Sequence, residues 1–170
     1  MFSKPPAETG ASQKQELPAI LPKWEKIQQS LAEVLLTNLS LFRYGRYLIP
    51  PSQVTAFCRD LARYENPNPS VPACSIAACQ AFLERQERFY ACPHGFSFAA
   101  MRFSGTDAIL IAGPFYLGKR EDEKTARERS ETLKIDPELF RDRIREIKVF
   151  SRVGIQKVMD FSASVIQNLA

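Results

Sequence analysis

The spacing of apolar residues changes several times along the chain, and each change marks a predicted element. From Pro22 apolar side chains recur every three to four residues, which predicts an amphipathic helix to about Thr37. The segment LSLFRYGRYLIPPS then predicts a β-hairpin that turns at Tyr-Gly-Arg and ends at two prolines. The buried face of the first helix is predicted to consist of Trp24, Ile27, Leu31 and Val34.

Two short helices and two longer strands are predicted in the middle of the chain. Ser52 is placed as the N-cap of a helix to about Leu61, and residues 65–72 are rich in turn-forming residues. A second helix is predicted over 75–85, with Cys79 and Phe82 on its inner side. The stretch 90–117 then contains the two most strand-like runs, joined by a turn near residues 104–107.

The last third of the chain is predicted to be helical. Residues 119–133 are dense in charge, which indicates an exposed helix or loop, and Asp136-Pro137-Glu138 is a strong helix-start signal. The buried face of that helix is predicted to be Leu139, Phe140, Ile144 and Ile147. A long apolar stripe follows from Ser151 and comprises Ile155, Val158, Met159, Ser162, Val165, Ile166 and Leu169. A basic stripe on a solvated face is predicted from Arg141, Arg145, Lys148 and Arg152.

Length and composition predict one folded domain with a tail. Residues 1–17 are polar, contain Pro5, Pro6 and Gly10, and show no periodicity, so we predict a disordered tail followed by a domain over 18–170. The longest apolar runs are too short to cross a bilayer and the N-terminus has no apolar signal core, which predicts a cytoplasmic protein without membrane contact. The net charge of +4 falls short of a nucleic-acid-binding footprint, so no direct nucleic-acid binding is expected.

The four cysteines allow three interpretations: buried apolar thiols, a redox centre, or ligands of zinc or an iron–sulfur cluster. Thiolate suits both metals, but the spacing lacks the paired CxxC hooks of a zinc ribbon. A reducing cytoplasm would keep the cysteines unpaired. The candidate metal ligands are Cys58, Cys74, Cys79 and Cys92.

The only histidine, His94, lies two residues after Cys92. It could bind a polar ligand or metal at the mouth of a pocket, or serve only as a turn residue. The two residues also suggest a thiol–imidazole pair for nucleophilic catalysis, but no acid partner or oxyanion loop is evident. We therefore predict a protein that is not an enzyme and has no catalytic residues.

These residues occur in an order that resembles the PocR-type sensory domain, a PAS-like ligand-binding module of prokaryotic signalling proteins. The order is Phe57-Cys58, Cys74 before a helix, Tyr90-x-Cys92-x-x-Gly95, an apolar strand, and ILIAGPF at 109–115. The resemblance covers about residues 24–170 and includes the helical ending KIDPELFRDRIREIKVFSRVGIQKVMDF. The chain has Cys92-Pro93-His94-Gly95 where the family usually has Cys-His-x-Gly.

The resemblance implies a sensor for small hydrocarbon derivatives such as propanediol and other short alcohols. It implies an α+β fold, in which a PAS-like antiparallel sheet has helices on one face and flanking N-terminal and C-terminal helices. It also implies a signalling output protein or domain outside this chain, and the C-terminal helix could equally pack in a homodimer. The predicted ligand-binding residues are Cys58, Cys74, Cys92, His94, Phe96, Phe98, Met101 and Phe115. The alternative is a structural or redox-sensing domain with a cysteine-ligated zinc or iron–sulfur centre.

Overall fold

The computed structural model describes residues 17–51, 74–92, 94–102 and 106–169. Within these residues the helices are α1 (Leu17–Leu35), α2 (Cys74–Arg85), α3 (Glu123–Leu133), α4 (Pro137–Arg145) and α5 (Arg152–Gln167). The strands are β1 (Leu39–Arg43), β2 (Arg46–Ile49), β3 (Phe89–Ala91), β4 (Ser97–Arg102), β5 (Ala108–Leu117) and β6 (Val149–Phe150). No described helix is long and apolar enough to span a membrane.

The strands form one sheet in the order β2-β1-β5-β4-β3, with antiparallel pairing along this path. The short β6 pairs with the end of β5 in parallel. The predicted fold class is therefore confirmed: the structure is α+β, with a PAS-like sheet flanked by N-terminal and C-terminal helices. The predicted hairpin and the two long strands are present, β3 was not predicted, and the predicted helix over 52–61 and loop over 65–72 lie outside the described residues.

The hairpin between β1 and β2 forms because its turn residues can adopt left-handed backbone angles. Tyr44 and Gly45 have φ of 51° and 74°. A two-residue turn with both angles positive matches the twist of the flanking strands, and glycine adopts such an angle without steric cost. The turn fixes the register Arg43↔Arg46 and brings β1 beside β2.

The buried face of α1 differs from the predicted one. The buried residues are Ile20, Trp24, Gln28 and Ala32, whereas Val34 is 78% exposed. Gln28 is buried because its side chain is satisfied on both sides: it accepts from Trp24 Nε1 over 2.8 Å and donates to the Pro50 carbonyl over 2.7 Å. The assignment of Val34 to the core was therefore wrong, since a polar residue takes part in the inner face.

Helices cover both faces of the sheet, rather than one face as predicted. On one face residues of α2, α3 and α4 share a core with Ile109 and Ile111; on the other face residues of α1 and α5 share a second core with Leu110 and Ala112. The alternation along β5 changes phase after Gly113, so Phe115 lies on the α1/α5 face and Tyr116 on the α2/α3/α4 face. The register of β5 against β4 shifts at the same place.

The C-terminal helices keep most of their predicted features. Asp136 caps α4 by accepting from the Leu139 amide, as predicted, and Phe140, Ile144 and Ile147 are buried. Leu139 is 37% exposed, so its placement in the core was wrong. The prediction of a single basic stripe was also wrong, because α4 ends at Arg145 and β6 precedes the next helix. The apolar stripe of α5 packs into the chain's own core through Ile155, Met159, Ser162 and Ile166.

Candidate functional site

A tight turn between β3 and β4 holds the Cys92 side chain in place. The Cys92 amide donates to the Phe96 carbonyl over 2.7 Å, and the Gly95 amide donates back to the Cys92 carbonyl over 2.9 Å. Gly95 has φ of +82°, an angle that favours glycine. The His94 amide points at the Cys92 sulfur, 3.3 Å from nitrogen to Sγ. The turn therefore directs a backbone donor at the thiol.

A second thiol meets Cys92 from the facing helix. Cys74 is the first residue of α2, and its side chain hydrogen-bonds with that of Cys92. Cys92 is buried and Cys74 partly buried, and neither is in a disulfide. Cys74 is therefore the more exposed residue of the pair.

The surroundings of Cys92 favour its thiolate. The hydrogen bond with Cys74 lowers the pKa of Cys92, and the amides of His94 and Phe96 and the charge of Arg129 act in the same direction. They outweigh the opposing effect of burial, so the pKa falls to about 7. Cys79 behaves in the opposite way: burial inside α2 raises its pKa to about 11, although the charge of Arg102 partly offsets this.

A partly buried ion pair lies behind the turn. The Arg129 guanidinium lies against Gly95, where an added Cβ would come within 2.1 Å of Nη1. Arg129 Nη2 lies 3.2 Å from Glu121 Oε2, and the Tyr116 hydroxyl donates to Glu121 Oε1 over 2.7 Å. Burial, and then the bond to this carboxylate, raise the pKa of Tyr116. The Tyr116 ring packs against Phe96 with 5.2 Å between centroids, which connects the ion pair to the turn.

Aromatic side chains with polar ends surround the two thiols. Tyr47 and Tyr90 are partly buried against the same core, and the Tyr47 hydroxyl shares a short hydrogen bond with Ser75 Oγ at the start of α2. Burial, followed by the neighbouring Cys74 and Cys92, raises the pKa of Tyr90, which keeps its hydroxyl a donor. We call Tyr47, Cys74, Tyr90, Cys92 and Phe96 the thiol–aromatic cluster. Apolar surface with a few convergent polar groups is typical of a small-ligand site.

The structure brings together only some of the predicted ligand-binding residues. Cys74, Cys92, Phe96 and Phe98 pack in one core on the α2/α3/α4 face. His94 lies in the turn and reaches Cys92 through its backbone amide. Met101 and Phe115 lie on the opposite face of the sheet, which separates them from the two thiols. Cys58 lies outside the described residues.

Sequence reasoning missed Glu121 and Arg129. Both lie in or next to the charge-dense stretch that indicated an exposed segment. Their side chains are only 8% and 23% exposed, because each is the other's partner beneath the turn. No local pattern marks them, since their opposite charges match those of their exposed neighbours.

The metal hypothesis gains no complete ligand set from the described part of the chain. Among those residues no three or more His, Cys, Asp or Glu side chains are grouped so that they could hold a metal ion. The proposed four-cysteine set also needs Cys58, so it stays a prediction.

A surface cleft of about 490 Å³ lies apart from the thiols. Most of its lining residues are charged, and none of them is a cysteine. The lining residues are Arg120, Glu121, Asp122, Glu123, Ala126, Arg127, Pro137, Glu138, Arg141, Ile144 and Arg145. Arginines and acids alternate there and pair with each other, as Arg141 does with Glu138. We therefore assign the candidate site to the thiol–aromatic cluster, because its apolar and aromatic side chains lie beside few polar groups and suit a small organic molecule.

Comparison with known proteins identifies a family. A family model described as a sensory domain found in PocR matches residues 20–170, nearly the whole chain. No curated protein and no solved structure matches the chain.

Proposed function

This chain belongs to the PocR sensory-domain family, and on that premise we propose that it senses a small organic ligand bound at the thiol–aromatic cluster. The proposed ligand class is a short alcohol, a diol or a related hydrocarbon derivative. The bound state is then passed to a signalling output protein or domain through the C-terminal helix. The observation that carries this proposal is that two interacting thiols pack in one core with Tyr47 and Tyr90 on one face of the sheet.

The chemistry of the cluster supports such a ligand. The Phe96 ring offers apolar surface, while the side chains of Tyr90 and Cys74 offer hydrogen-bond donors and acceptors at partly buried positions. A diol of about five heavy atoms gains at most about 1.5 kcal/mol per atom, or roughly 7 kcal/mol in total. We therefore expect a Kd no tighter than about 10 μM, and assays need millimolar ligand.

The end of β5 offers a route from the cluster to the C-terminal helix. Tyr116 packs on Phe96, and its amide donates to the Lys148 carbonyl over 2.8 Å. The next contact, from the Gly118 amide to the Phe150 carbonyl, is also 2.8 Å, and Ser151 then caps α5. A ligand changes the position of this helix only if it binds two arrangements of the chain with different affinity.

Thermal-shift measurements with matched variants test the proposal. A screen of short alcohols, diols and simple aromatics should raise Tm, by about 5–10 °C at a ligand concentration of 100 times Kd. Cys92→Ser and Tyr90→Phe should reduce this ligand-dependent shift. Met101→Leu is the matched control, because Met101 is a partly buried apolar residue on the opposite face.

Two outcomes would contradict the proposal. The first is that no compound of these classes shifts Tm at millimolar concentration. The second is that Met101→Leu reduces the shift as much as Cys92→Ser does. Arg127→Gln, in the charged cleft, separates the two candidate locations, because it should leave binding unchanged if the ligand occupies the cluster.

The second candidate function is a zinc or iron–sulfur centre with a structural or redox-sensing role. It is favoured by one observation, the contact between the side chains of Cys74 and Cys92, which would supply two ligands. Cys58 and Cys79 are the further proposed ligands. Metal analysis and an absorbance scan of anaerobically purified protein test this candidate, and protein without stoichiometric zinc or iron would refute it.

A further inference from the structure

We propose that Cys74 and Cys92 are a modification site, a dithiol that a hydroperoxide converts into an intramolecular disulfide. This inference goes beyond ligand sensing, because it needs neither an organic ligand nor an output partner. It rests on the packing of the two cysteine side chains in one core, Cys74 from the first residue of α2 and Cys92 from the β3–β4 turn, where they interact with each other.

The two thiols have complementary environments. Cys92 is held by the turn, where the His94 amide lies 3.3 Å from its sulfur and the Arg129 side chain packs against Gly95. These donors and the positive charge stabilise a sulfur anion. Cys74 is partly buried, so a small oxidant can enter from its side. The nucleophile is therefore Cys92, and the resolving thiol is Cys74.

Cys79 provides an internal comparison on the same helix. It lies five residues after Cys74, which turns it about 140° around the helix axis. Its side chain is fully buried in the core. Cys79 should therefore resist oxidation under conditions that link the other two cysteines.

The reaction balances with one hydroperoxide. The Cys92 thiolate attacks one peroxide oxygen, the O–O bond breaks, and the departing alkoxide or hydroxide takes a proton, which leaves Cys92 as a sulfenic acid. The Cys74 sulfur then attacks the Cys92 sulfur, the S–O bond breaks, and hydroxide leaves with the Cys74 proton as water. In total, two electrons pass from the two thiols to the peroxide. An alkyl hydroperoxide yields one alcohol and one water, and hydrogen peroxide yields two waters.

The disulfide would join the first residue of α2 to the β3–β4 turn. Such a link closes the thiol–aromatic cluster at its partly buried edge, where Cys74 and Tyr90 lie. It also reduces the number of conformations open to the unfolded chain. Tm should therefore rise by on the order of 5–10 °C and fall again when the disulfide is reduced.

Peptide mapping of the full chain tests the proposal without any substitution. Reduced protein treated with hydrogen peroxide is digested under non-reducing conditions and analysed by mass spectrometry. We expect a peptide that contains Cys74 linked to Cys92, lost after dithiothreitol. Absence of that peptide, or a dominant link from either cysteine to Cys58, would overturn the proposal.

Variants then assign the two roles. Cys58→Ser and Cys79→Ser are the matched controls and should keep the cross-link, whereas Cys92→Ser should abolish it. In Cys74→Ser we expect Cys92 to stop at the sulfenic acid, which a cyclic 1,3-diketone traps; Cys74→Ala serves if the serine variant does not fold. A Cys92 that is not trapped in either variant would refute its role as nucleophile. Because these assays contain no ligand, their failure is distinct from failure of the ligand screen.

Discussion

The variant Tyr116→Phe tests the buried chain that supports the turn. The Tyr116 hydroxyl donates to a Glu121 oxygen over 2.7 Å, and this carboxylate is only 8% exposed. Phenylalanine removes the donor but keeps the ring contact with Phe96, while Arg129 still neutralises the other oxygen at 3.2 Å. A hydrogen bond to a charged group contributes about 1.5–3 kcal/mol. We expect the free energy of unfolding to fall by about 2 kcal/mol.

Equilibrium urea unfolding followed by circular dichroism measures this loss. A decrease of about 2 kcal/mol in a chain of this length corresponds to a fall in Tm of about 4–8 °C. Tyr44→Phe is the matched control: its hydroxyl donates to Asp107 over 3.0 Å, but Tyr44 is 71% exposed and water can replace the bond. We expect the control to change stability by less than about 0.5 kcal/mol.

The comparison of the two variants shows which result would refute this reasoning. If Tyr116→Phe, with an unchanged urea slope, loses no more stability than Tyr44→Phe, the Glu121 carboxylate is not desolvated as the structure shows. The argument that this ion pair fixes the turn would then fail, together with its charge effect on Cys92.

Two further predictions concern charge and helix capping. The folded-state pKa of Cys92 is lowered to about 7, from an unfolded value near 9. The contribution of Cys92 to stability is therefore fully present above pH 9 and is lost as the pH falls through 7. The stability difference between wild type and Cys92→Ser should grow from pH 6 to pH 9. A difference that shrinks over this range would contradict the assignment. Asp136→Ala should cost about 1 kcal/mol, because the Leu139 amide loses its acceptor at 2.9 Å, whereas Asp142→Ala, in an exposed ion pair, should cost less than about 0.5 kcal/mol. Equal losses in the two urea titrations would refute the capping argument.

The elements that could be predicted from the sequence have local causes. The hairpin turn follows from Tyr44-Gly45, and the start of α4 follows from Asp136-Pro137, which both caps the helix and fixes its first turn. The long strand β5 follows from its apolar run between turn residues. In each case the residues that specify the element are neighbours in the chain, so a single sequence carries the signal.

The features that could not be predicted depend on distant partners. Gln28 is buried because the distant Pro50 carbonyl accepts a hydrogen bond from its side chain. The phase change at Gly113 allows Tyr116 to face the thiol–aromatic cluster, and it depends on the packing of β5 against β4. Glu121 and Arg129 look like surface residues until the fold brings them under the turn. The sequence identifies the four cysteines as one set of candidate ligands, but only the structure shows that Cys74 and Cys92 interact.

The most direct test of the account is an NMR titration of the full chain with a short diol. We predict saturable shifts of the amide signals of the turn at 92–96 and the first turn of α2, followed by smaller shifts in β6 and α5 as the change passes along the end of β5. Shifts confined to the charged cleft, or no saturable shift at millimolar diol, would contradict the claim that the thiol–aromatic cluster is the sensing site.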